Sequence, residues 1–141
     1  MRLLPLLVIP VLLLAGCAPT GLGPVDMLSD GTTTCLPGVD EGDFAVPLKN
    51  HGPVAVTLDS LDFGVLSAAK VASATVDGEP VENYVLKGNG EVSIAVHLTG
   101  PGYVANPSLV YTDADHQTFT TTANQTLGFG TAPTTDAVTC N

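Results

Sequence analysis

Three cysteines and three histidines are the side chains best suited to bond a lipid, a second sulfur or a metal. They are Cys17, Cys35 and Cys140, and His51, His97 and His116. No two histidines stand at the i, i+4 spacing of a helical zinc pair, and neither Cys35 nor Cys140 has a cysteine or histidine within zinc-motif distance. A metal centre would therefore have to be assembled in space, from His51, His97 and His116 with Asp113 and Asp115 as oxygen donors. Asp113-Ala114-Asp115 repeats a fragment of a calcium loop but lacks that loop's glycine and terminal glutamate. It reads as the polar turn of a hairpin.

Signatures of catalysis are missing. The chain holds no Gly-x-Ser-x-Gly, no Ser-x-x-Lys, no His-Glu-x-x-His and no Gly-x-x-x-x-Gly-Lys. Gly88-Asn89-Gly90 and Gly100-Pro101-Gly102 read as turns. The acids Asp40-Glu41-Gly42-Asp43, Asp59 and Asp62 read as solvated clusters. No catalytic residue and no cofactor are expected, and the chain is not expected to be an enzyme.

The N-terminus gives an address. Arg2 precedes an apolar run from Leu3 to Leu14 broken only by Pro5 and Pro10, and Leu14-Ala15-Gly16-Cys17 closes it with small residues. Charge, length and ending fit a secretory signal peptide, and the run is too short for a spanning helix. Its end resembles the lipobox of bacterial lipoproteins, with every position matching. That resemblance implies cleavage after residue 16, lipidation of Cys17 by palmitate-type acyl chains, and a protein tethered to the extracytoplasmic face of the cell membrane. Two or more chains would make the attachment stable.

With Cys17 assigned to lipid, Cys35 and Cys140 remain as an even pair in an oxidising compartment, and a disulfide between them is expected. Closing a loop of roughly a hundred residues would contribute about 4 to 5 kcal/mol in the chain-entropy model. Two thiolates in a metal site are the alternative.

Charge limits the partners. Four Lys plus Arg stand against 14 Asp plus Glu, a net charge of −10, and loss of Arg2 makes it more negative. Nucleic acid and anionic headgroups are both repelled, so the acyl chains would hold the protein to its membrane. The expected partners are that membrane and an envelope protein or ligand that the sequence does not identify.

The elements that must position these residues have a strand rhythm. Residues 17–34 are rich in Gly, Pro, Ser and Thr and read as a lipidated N-terminus and flexible tether. From residue 35 to 141 the apolar period is two. Phe44, Val46 and Leu48 alternate with Ala45, Pro47 and Lys49, and after Asn50-His51-Gly52-Pro53 come Val54, Val56 and Leu58, read as a hairpin. Pro47 cannot donate to a ladder, which predicts an edge or a bulge there. Leu66 to Lys70 could form one helical turn before a strand at 70–76, and Val81 to Leu86 reads as a short strand.

The clearest strand is Glu91 to Leu98, with Val92, Ile94, Val96 and Leu98 on one face. Strands at 108–112 and 117–123 flank the turn at Asp113 to His116, and 126–129 supplies the last. About seven short strands and almost no helical period predict an all-β antiparallel sandwich. The run Leu48 to Leu58 resembles the first hairpin of immunoglobulin-like domains on bacterial surface proteins, which implies an immunoglobulin-like sandwich. The terminal cysteines and the absence of Trp depart from antibody domains. Together these observations predict a lipid-anchored envelope lipoprotein that binds through its surface, with an envelope metal carrier as the alternative.

Overall fold

Alternation of apolar and polar residues gives each long strand one face to bury, and two sheets facing each other satisfy all of them at once. The computed structural model describes residues 23–65 and 69–130. In chain order the strands are β1 (Val25–Met27), β2 (Thr33–Leu36), β3 (Glu41–Asn50), β4 (Val56–Val65), β5 (Lys70–Val76), β6 (Glu79–Pro80), β7 (Val85–Leu86), β8 (Glu91–Thr99), β9 (Tyr103–Thr112), β10 (Thr118–Thr122) and β11 (Thr126–Phe129). No helix occurs among the described residues.

One sheet has the order β1-β3-β8-β5-β6 and the other β2-β11-β9-β4-β7, with β10 beside the C-terminal half of β9. Pairing is antiparallel except for β2, which runs parallel to β11. Val46, Leu48, Ile94, Val96 and Leu98 from the first sheet meet Leu58, Leu109, Tyr111 and Leu127 from the second in one buried core. The face predicted for Glu91 to Leu98 is the buried one, with Val92 at its margin.

Three expectations are corrected. β3 and β4 are not a hairpin: β3 pairs with β1 and β8, while β4 pairs with β7 and β9, so residues 51–55 form an arch between sheets. Both strands aim their apolar sets inward, and period two tells which face is buried without telling which strand lies alongside. The arch is held by Asn50, fully buried, whose amide nitrogen donates to the carbonyls of Val54 (2.9 Å) and Lys87 (3.1 Å) and whose Oδ1 accepts from Gly52 N (2.9 Å).

Pro47 lies in an internal strand, not at an edge. Its carbonyl accepts from Leu28 N one residue past the end of β1, so the side of Pro47 that lacks a donor faces the point where β1 stops pairing. The sandwich also begins inside the stretch read as a tether. Val25 and Met27 are buried against β3, and β2 is hydrogen-bonded to β11. A three-residue strand is too short to show a period, and it is ordered by its partner.

Of the strand read at Val81 to Leu86 only Val85–Leu86 forms, as β7; residues 81–84 turn between β6 and β7, which lie in different sheets. The turn read at Leu66 to Lys70 lies mostly outside the described residues, as do Cys17 and Cys140.

Candidate functional site

On the solvent face of the first sheet, the antiparallel register sets Asp43 opposite His97 and Glu41 opposite Thr99. His97 Nδ1 lies 2.7 Å from Asp43 Oδ1, and Nε2 lies 2.9 Å from Glu41 Oε1. A neutral imidazole has one N–H, whereas the imidazolium donates to both carboxylates. The hydrogen bond to Asp43, then that to Glu41, holds the histidine above its usual pKa, with slight burial opposing. On the other flank β5 supplies neutral Ser73, and Lys70 lies across from Thr99. The cluster favours the protonated imidazole and ties the start of β3 to β8. Glu41 and Asp43, read from sequence as part of a solvated acid cluster, are instead the partners of His97. The signal was there in outward positions of two long strands, but only their register brings them together.

The other candidate residues sit at the opposite end. His51 follows β3 and its Nε2 lies 3.1 Å from Asp26 Oδ2. Eight residues separate it from Asp43 along the strand, roughly 26 Å at about 3.3 Å per residue. Asp113 Oδ1 accepts from the backbone N–H of Asp115 and of Gln117, both at 2.9 Å, so its carboxylate builds the turn that also contains His116. The fold thus brings Asp113, Asp115 and His116 into one loop and leaves His97 at the far end. A site made from all three histidines is not formed. Among the described residues no group of three or more His, Cys, Asp or Glu is arranged to hold a metal ion.

The sheets meet along two seams. At the first, the N-terminal segment crosses from one sheet to the other and is stitched down. Val25 N donates to Tyr111 Oη (3.2 Å), and Ser29 Oγ donates to Oε1 of buried Gln125 (2.7 Å). Gln125 Nε2 donates to the Ala45 carbonyl (3.2 Å), and Asn124 N donates to Asp30 Oδ1 (2.7 Å). Burial raises the Tyr111 hydroxyl pKa, keeping it neutral as an acceptor for the strand.

The second seam is open. β7 pairs only with Val56 and Thr57 of β4, and β6 only with Thr75 and Val76 of β5. Both caps cover the same end, so among the described residues no strand pairs with the outer edges of Asp59–Val65 and Lys70–Ser73. The notch between them contains a groove of about 440 Å³ lined by Leu61, Asp62, Phe63, Ala69, Lys70, Val71 and Val104. Val71 opposes core residue Leu98 yet is 40% exposed, a core-facing side chain without cover. A second groove of about 340 Å³ continues past Asp62 and Ala74 to Glu82.

No protein-family model matches the chain, and no curated protein sequence matches it. Among solved structures it is similar to the ASH/PapD-like domain (PapD-like domain 7) of human CEP192. The TM-score is 0.52 at 14% identity, over 94% of this chain and 99% of that one. Weaker likenesses are to the VesB protease of Vibrio cholerae (TM-score 0.47, 14% identity, 69% of this chain, 30% of that one) and the cupredoxin domain of amoB from Nitrosocaldus yellowstonii (0.40, 15%, 72% and 63%). The first likeness, with two sheets sharing one core, shows the fold: a β-sandwich similar to PapD-like, immunoglobulin-like domains.

Proposed function

We propose that the chain is a lipid-anchored lipoprotein of the bacterial cell envelope, on the extracytoplasmic face, whose sandwich is a non-enzymatic binding or accessory module. The observation that carries the anchor is the sequence Leu14-Ala15-Gly16-Cys17 after an apolar run. Its resemblance to a lipobox makes Cys17 the lipidated residue. Residues 17–22 then join the lipid to the first described residue, Gly23, beside β1. Cys35 in β2 is the proposed disulfide partner of Cys140, closing the domain on itself. Supporting a binding role over catalysis, the described polar side chains serve the scaffold: Asn50 an arch, Gln125 a seam, Asp113 a turn, Asp59 the hydroxyl of Thr112 (2.6 Å).

Fractionation of cells making the protein and its Cys17→Ser variant tests the anchor. The parent is expected in the membrane fraction with an acylated N-terminal residue, and the variant is expected to be released or left unprocessed. An unchanged distribution overturns the reading. Non-reducing peptide mapping tests the Cys35–Cys140 bond.

A further inference from the structure

Among the described residues, the open seam exposes an unpaired strand edge and a core-facing apolar side chain together. Lys70 to Ser73 are all exposed, no strand among the described residues lies beside their outer edge, and the inward-facing side of that edge carries Val71, 40% exposed. An edge of this kind pairs with an added strand, whose main chain completes the ladder and whose alternate side chains enter the gap between sheets.

Charge decides which strand fits. Asp62 and Glu82 line the two grooves of the notch and are exposed, and Lys70 is the cation at its end. Asp77 is engaged by Tyr84, whose hydroxyl donates to it at 2.8 Å. A second copy of the chain would bring an identical acidic rim against this one, on a molecule of net charge −10. An incoming strand with basic side chains meets attraction where a second copy meets repulsion.

We propose that the notch between β4 and β5 docks an extended, basic strand of a partner protein, which pairs with the β5 edge and lays an apolar side chain over Val71. The proposal rests on the surface-contact reading above and not on the lipid anchor.

The test uses the full protein, purified from whichever cell fraction holds it, and two labelled short amides of equal charge. One alternates lysine with valine and the other lysine with serine. The valine amide is expected to bind about tenfold more tightly, the order expected for one buried valine side chain. It should also slow hydrogen exchange at the amides of residues 70–73. Val71→Glu, at an exposed position, should abolish the difference between the amides, and Asp62→Lys should weaken both. Failure of the valine amide to bind overturns the proposal, as does equal binding of the two without protection of 70–73, which is attraction to the acidic rim only. Protection of 70–73 by self-association without peptide overturns it in favour of a second copy. Photo-cross-linking on intact cells separates this proposal from the broader reading. Partners captured from exposed Val54, in the β3–β4 arch at the capped end of the sandwich, but never from position 71 remove the notch and leave surface contact standing.

Discussion

The two seams of this sandwich teach opposite lessons about how a sheet edge is managed. At the first, one short strand is placed in each sheet, β1 and β2, and the link between them is pinned to Gln125, Asn124 and Tyr111. At the second, the chain also crosses between sheets, from β4 to β5, but its edges are only half capped. The first seam closes because its polar groups have partners within the fold. The second has backbone and Val71 left over. Polar cross-links are concentrated on one side and an uncovered core-facing side chain on the other.

Substitutions can break that contrast or sharpen it. The largest expected loss is at Gly128 of β11, where an added Cβ would lie 2.3 Å from Tyr103 Cβ and 2.5 Å from the Gly102 carbonyl oxygen. Backbone must move, and Gly128→Ala should cost about 3 kcal/mol in urea unfolding. Gln125→Leu fills the same space but strands the Ser29 hydroxyl and the Ala45 carbonyl, with an expected cost of about 2 kcal/mol by the same measurement. Tyr111→Phe deprives Val25 N of its acceptor and should cost about 1 kcal/mol, with faster amide exchange at Val25. At the open seam, Val71→Glu should change stability by less than about 0.5 kcal/mol, as at ordinary surface sites. A large loss there would show that the two seams do not differ.

The smallest effect is at His97 and has a definite sign. Its pKa is raised in the folded state, so the folded state binds the proton more tightly than the unfolded chain does. The added stability is fully present below the ordinary histidine pKa of about 6.5 and is lost as pH rises through the raised folded value. The difference in melting temperature between the parent and His97→Gln should therefore shrink from mildly acidic to mildly alkaline pH. A difference that grows with pH would contradict the clamp.

The sequence made faces legible and partners illegible. Ile94, Val96 and Leu98 are buried as alternation requires, the turn at Asp113 to His116 joins β9 and β10, and β11 spans the four residues expected. The β3–β4 hairpin failed because a strand with one apolar face sits equally well in either sheet, and Asn50 makes an arch from what reads as a tight turn. β1 and β2 were hidden because Val25-Asp26-Met27 and Thr33 to Leu36 are ordered by long-range pairing and not by local preference. The His97 cluster joins residues 54 and 56 positions apart, a spacing that becomes visible only with strand register. Cys17 and Cys140 fall outside the described residues, so the lipid and disulfide remain proposals resting on sequence.

The change of sheet between β1 and β2 also sets how the domain bears load. A pull entering at Gly23 along the strand axis meets the rungs Val25–Asn50, Asp26–Lys49 and Met27–Leu48 side by side. These share the force in shear instead of opening one after another. Behind them the rungs from Thr33–Thr126 to Leu36–Phe129 take up the same line in the second sheet. The N-terminal segment is therefore two lap joints in series, and the three rungs of the first must shear together before Val25 and Met27 leave the core.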